Sequence, residues 1–379
     1  MDLSARSRVT LLFGVVSCIA LAVTPAAAQA PRRTENVVLI VTDGVRWQEL
    51  FRGPERRLLS RTPGGVSDTA GLIRDFWRDD PAQRRAAVFP FLWNTVAKQG
   101  VLYGNQDRGS VARITNRYKF SYPGYSELFT GFVDDRINSN DYAPNPNTTV
   151  FEWLAVQPGL RGKVGAVATW SAFRRILNKE RAGIDVIDGW DEPFPGNVDR
   201  DAGRATLNAL YRTGVRLWPD NAFDAPMHLV AKEYIRTRKP RVLFVGYGET
   251  DEWAHARRYD LVLRSAHQVD AFVADLWSYM QGMQQYRGRT TFIITTDHGR
   301  GGGTDDWTSH GERVDGAEDI WMAILGPDTP ALGERLGGER VTQAQVAATI
   351  AALMGKEQEF LAASPKSALA VREAVSRPR

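Results

Sequence analysis

The chain has 379 residues, 43% of them hydrophobic and 24% charged, and a net charge of +4. These proportions are those of an ordinary globular protein, with length for one large α/β domain or two small ones. The basic excess is small and forms no concentrated stripe, which argues against a stable nucleic-acid partner.

In chain order, Arg6 and Arg8 precede an apolar run from Val9 to about Val23, and Ala28-Gln29-Ala30 gives a small-x-small processing site. This is the layout of a secretory signal peptide over residues 1–30 and predicts export, to the periplasm. The rival reading, an uncleaved anchor, requires a longer apolar run. Cys18 is the only cysteine. A mature chain of residues 31–379 then has no disulfide and no thiolate, so any metal must be held by Asp, Glu, His or Asn. No later stretch is apolar enough for a membrane span.

Residues 36–42 (NVVLIVT) read as a buried strand ending at Asp43-Gly44. Residues 51–83 read as a long loop with a helical piece, 86–99 as a helix and 101–104 as a short strand. Ser121-Tyr122-Pro123-Gly124 is a turn signal followed by a helix over 125–130. Residues 134–148 are loop, 149–156 helix and 163–169 (KVGAVAT) strand. Residues 171–240 look mainly helical and are the candidate cap or insertion, with a Pro/Gly/Asp-rich interval at 185–202. Residues 241–246 (RVLFVG) form a strand leading to Asp251. Residues 259–285 are a helix, and Thr291 to Ile294 a buried strand running into Thr295-Thr296-Asp297-His298-Gly299. A late strand at 319–325 and a helix at 342–354 follow. Alternating strands and helices predict an α/β fold with a mostly parallel central sheet flanked by helices.

Three strands thus end in aspartates, Asp43, Asp251 and Asp297, at the rim where open α/β sheets carry their sites. Asp251 and His255 are spaced i, i+4, which in a helix puts them on one face, about 6 Å apart between Cβ atoms. Of five histidines, His255, His298 and His310 fall in these segments. Six oxygen and nitrogen ligands without a thiol suit two divalent ions, zinc first and manganese second. Ser121 is the candidate nucleophile, because a helix start favours an alkoxide and a bound anion. Thr115, Ser126 and Thr130 are its rivals. Asp305 and Asp306 form either an extra cation site or a solvated turn.

Asp43-Gly44, the segment from Ser121 to Gly131 (SYPGYSELFTG), Asp251-x-x-x-His255, Asp297-His298-Gly299 and His310 occur in an order that resembles the alkaline phosphatase superfamily over roughly residues 36–330. The resemblance is strongest to its nucleotide pyrophosphatase/phosphodiesterase-like and related bacterial branches. It implies that Asp43, Asp297 and His298 hold one metal with Ser121, and that Asp251, His255 and His310 hold the other. It also implies an asparagine near Asn140 (Asn138 is the alternative) on a phosphoryl oxygen. The function implied is hydrolysis of a small-molecule phosphate mono- or diester through a phosphoseryl intermediate on Ser121.

Some departures bear on substrate. The Lys-x-Arg pair of some monoesterases is absent after residues 163–169, where Arg174 is the candidate phosphate contact or else a surface arginine. The serine motif lacks the arginine that sulfatases carry at the place of Tyr125. Phosphotransferase or mutase activity, sulfatase-like hydrolysis and a non-catalytic metal-binding protein are the alternatives. Leaving group and oligomeric state are not legible.

Overall fold

The computed structural model describes residues 32–198 and 201–375. The expected signal peptide at 1–30, with Cys18, lies outside the described residues. No helix among them is long and apolar enough to cross a membrane.

Among the described residues ten strands occur in chain order: β1 Asn36–Thr42, β2 Val101–Tyr103, β3 Ala112–Arg113, β4 Val164–Ala168, β5 Asp185–Asp188, β6 Val242–Tyr247, β7 Thr290–Thr295, β8 Met322–Leu325, β9 Gly333–Glu334 and β10 Val341–Thr342. Eight form one sheet in the order β5-β4-β6-β1-β7-β8-β2-β9, and β10 pairs with β3. Strands β5, β4, β6, β1 and β7 are mutually parallel, while β8 runs antiparallel to both β7 and β2.

Every residue of β1 is buried, because both sheet faces are covered. Val37, Leu39 and Val41 enter one apolar core, with Phe244 and Ile293. Val38 and Ile40 enter the other, with Val245 and Ile294. This period of two across a doubly covered sheet is why the sequence shows an unbroken apolar run. The helix Tyr259–Gly282 carries the chain from β6 across to β7, with β1 between them.

Register then places the chemistry. Thr42 pairs with Tyr247 and Val41 with Thr295. Two steps beyond Val41 and Thr295, Asp43 and Asp297 leave the sheet side by side.

Two expectations need correction. The segment 171–240, expected to be mainly helical, also supplies the edge strand β5, paired in register with β4, beside the helix Asp224–Arg238. Its strand is short and acid-ended (DVID), so it reads as loop. The late strand begins at Met322, not Asp319. Asp319 instead bridges antiparallel to Arg113 of β3, where the Ile320 N–H donates to the Ala112 carbonyl and the Asp319 carboxylate lies 2.6 Å from Arg113 Nε.

Candidate metal centre and nucleophile

Asp43 leaves β1 through a tight turn. Gly44 has φ +62°, and a Cβ there would lie 2.8 Å from Arg300 Nε and 3.0 Å from Asp251 Oδ1. Only glycine lets this backbone pass so close to both side chains. The Gly44 N–H donates to Asp297 Oδ1 at 3.1 Å, and the Val45 N–H donates to Thr296 Oγ1 at 3.1 Å. The ends of β1 and β7 are therefore tied to each other by side chains as well as by the ladder.

Asp43, Asp297 and His298 form one three-ligand group and Asp251, His255 and His310 another, each with its ligand atoms within 4.8 Å of one another. His298 Nε2 lies 3.3 Å from Asp43 Oδ1 and 3.6 Å from Asp297 Oδ2. These two carboxylate oxygens are buried and have no hydrogen-bond partner. His298 Nδ1 is 2.9 Å from the Gly299 carbonyl. A carbonyl oxygen only accepts, so Nδ1 carries a proton, and Nε2 is the nitrogen that faces the two carboxylates.

In the second group His255 Nε2 is 3.1 Å from Asp251 Oδ2. His310 Nε2 is 3.0 Å from His255 Nε2, and its ring stacks on His298 at 4.1 Å between centroids. The helix Glu249–His255 gives Asp251 and His255 their common face.

The electrostatics are those of a site missing positive charge. Burial, reinforced by Asp43, pushes the Asp297 carboxyl well above the usual range. Burial alone would lower His298, but Asp297 and Asp43 outweigh it and raise the imidazole to about 9. Burial and then His298 lower both His255 and His310, which favours the neutral rings that a metal ligand needs. Orphaned carboxylate oxygens facing an imidazole nitrogen, and a set of six oxygen and nitrogen donors, fit a pair of divalent ions.

Ser121 opens the helix Ser121–Thr130, with Phe120 as a cap residue that makes no side-chain cap bond. Its Oγ lies 3.4 Å from His298 Nε2. The helix sits hard against the Asp297 segment, since a Cβ at Gly124 would be 2.6 Å from the Asp297 carbonyl. The three rival hydroxyls are otherwise engaged. Thr115 Oγ1 donates to Glu127, Ser126 Oγ accepts from Asn145 and Thr130 Oγ1 donates to the Ser126 carbonyl.

Asn140 Oδ1 accepts from the Tyr122 N–H at 2.9 Å. That contact orients the amide, with Nδ2 as its remaining donor end. Asn138 is exposed. Arg174 is committed elsewhere: its guanidinium lies 3.0 Å from the buried Asp188 and 2.7 Å from Asp191. Asp306 accepts the Gly303 N–H at 2.7 Å within a turn. The remaining histidines also have structural partners: His228 bonds Tyr247 and Asp275, and His267 the Val88 carbonyl.

Two residues were missed in the sequence. Arg300, 2% exposed, donates to the Gly44 carbonyl at 3.1 Å, to the Thr308 carbonyl at 2.6 Å and to the Asp251 carboxylate. One guanidinium thus braces all four ligand-bearing segments. Glu127, fully buried, accepts from Thr115 N and Oγ1 and from Asn116 N and Nδ2 at 2.7–3.1 Å. It anchors the turn that leads into Ser121. The only sequence signal for Arg300 is its place directly after Asp297-His298-Gly299.

By sequence the chain matches no protein-family model and no curated protein. Solved structures are similar in fold. Alkaline phosphatase PafA has 10% identity and a TM-score of 0.58, over 92% of this chain and 100% of that one. The phosphonate monoester hydrolase of Agrobacterium radiobacter has 13% identity and a TM-score of 0.51, over 85% and 74%. Ps i-CgsB has 16% identity and a TM-score of 0.51, over 86% and 74%. With its mostly parallel, helix-flanked sheet, the chain shares the fold of these structures, that of alkaline phosphatase PafA among them.

Proposed function

We propose that the protein is a two-metal hydrolase of phosphoric esters, with Ser121 as nucleophile and phosphoserine as the intermediate. The observation that carries this reading is a pair of adjoining three-ligand groups, with His298 of the first 3.4 Å from the Oγ of a helix-start serine. The names of the neighbours, an alkaline phosphatase and a phosphonate monoester hydrolase, support it.

Asp43, Asp297 and His298 would hold the ion beside Ser121, and Asp251, His255 and His310 the other. Bound zinc or manganese supplies Lewis acidity, offsets phosphoryl charge and lowers the pKa of a coordinated hydroxyl or water. The remaining work falls to the chain. The helix start directs Ser121 Oγ at phosphorus, and its positive dipole end favours the anion. Asn140, oriented by the Tyr122 N–H, offers Nδ2 to a phosphoryl oxygen. Serine Oγ forms the new P–O bond as the alcohol leaves. Water then breaks the Oγ–P bond, returning serine and releasing phosphate.

The basic-then-apolar N-terminal run supports export of the enzyme. The test is hydrolysis of 4-nitrophenyl phosphate, its phosphodiester and 4-nitrophenyl sulfate by zinc- or manganese-loaded protein. Phosphate esters are expected to be cleaved faster than the sulfate. Ser121→Ala is expected to abolish turnover while retaining metal. Full activity of Ser121→Ala, or a faster sulfate ester, would reject the reading.

A further inference from the structure

Beside the candidate centre lies a cavity of about 600 Å³. Asn140 belongs to both: it lines the cavity, and its side chain holds the residue that follows Ser121. Arg175 also lines the cavity and donates to the Asn140 carbonyl at 3.1 Å. Trp170, two residues beyond β4, opens the space on the same sheet rim as the ligands. An ester held at Ser121 therefore has this cavity in reach of its alcohol portion.

The lining excludes two common alcohols. Lipid tails and nucleobases are taken by mainly apolar walls. Here only Trp170, Trp190 and Pro219 are apolar, and Trp190 is buried beneath other rings. Net charge does not select an anion either. The three lining arginines are matched by Asp141, Asp191 and Asp220, and Arg174 is already bound to Asp188 and Asp191. What remains is a dense set of carboxylate acceptors, guanidinium and amide donors, and one half-buried indole at Trp170. Neighbouring hydroxyls need acceptors and donors together, and the C–H face of a ring needs an aromatic wall.

We propose that this cavity binds a polyhydroxylated alcohol, a sugar or polyol, as the leaving group of the ester. The proposal rests on the reading of Ser121 as a phosphate-ester centre. The experiment compares kcat/KM for a hexose phosphate, adenosine monophosphate and 4-nitrophenyl phosphate in wild type, Trp170→Ala and Asp220→Asn. The hexose ester is expected to exceed the nucleotide by about tenfold or more, as a few added hydrogen bonds allow. Both substitutions are expected to remove most of that advantage and to leave the nitrophenyl ester nearly unchanged. Preference for the nucleotide, or equal losses on all three esters, would overturn the proposal. If even the nitrophenyl ester is not cleaved, the reading of Ser121 fails instead. Calorimetric binding of the hexose phosphate then decides: binding weakened by Trp170→Ala supports the cavity's role, and no binding refutes it.

Discussion

Arg300→Gln separates the work of charge from the work of hydrogen bonding in the ligand set. The guanidinium is buried, bonds two backbone carbonyls and pairs with Asp251. In the metal-free protein its charge faces the Asp251 carboxylate. Removing one partner of a buried pair costs about 3–5 kcal/mol. Divalent ions would supply that missing charge, so the charge part of the loss should disappear on loading. The loss of bonds to the Gly44 and Thr308 carbonyls should remain, at about 1–3 kcal/mol. The assay is denaturant unfolding of wild type and variant, with chelator and with saturating zinc. A deficit that shrinks markedly with zinc is expected, with Arg300→Lys intermediate in the metal-free state. An equal deficit in both conditions, or none, would refute the reasoning.

Zinc binding should depend on pH, because the His298 pKa is raised from 6.5 to about 9 by Asp297 and Asp43 against the effect of burial. Its contribution to metal-free stability is fully present below about pH 6.5 and is lost as pH rises through about 9. A metal must displace that proton. Apparent affinity by competition titration should therefore rise between pH 7 and 9, by up to about tenfold per unit, and a flat profile would count against the assignment. Gly124→Ala should cost about 1–3 kcal/mol, because its Cβ would meet the Asp297 carbonyl at 2.6 Å. The shifted helix should also lower kcat by about a hundredfold; unchanged melting and turnover would contradict the packing described. Glu127→Gln places an amide N–H₂ against a cluster of donors, with an expected cost of about 1–3 kcal/mol. Its turnover should fall with metal content intact, and a matching loss of metal would assign Glu127 a wider structural role.

The central strands were legible because burial on both faces writes an unbroken apolar run, as in residues 36–42 and 290–295. Their acid ends marked the sheet rim, and helical spacing joined Asp251 to His255. The edge was less legible. Strand β5 has four residues, two of them aspartates, in a loop-like composition. Arg174 showed only its charge, whereas its use depends on Asp188, 14 residues away on that unrecognised strand. Arg300 is set by contacts with Gly44 and Asp251, 256 and 49 residues distant. No local pattern encodes such a brace. The roles of the three rival hydroxyls likewise become separable only once Glu127 and Asn145 are positioned around them.

The most direct measurement is the metal content of the purified protein, with the ions located by anomalous scattering in crystals soaked with zinc. Two ions per chain are expected, one among Asp43, Asp297 and His298 beside Ser121 Oγ, the other among Asp251, His255 and His310. A chain that binds no zinc, or binds it away from these residues, would contradict the two-metal centre.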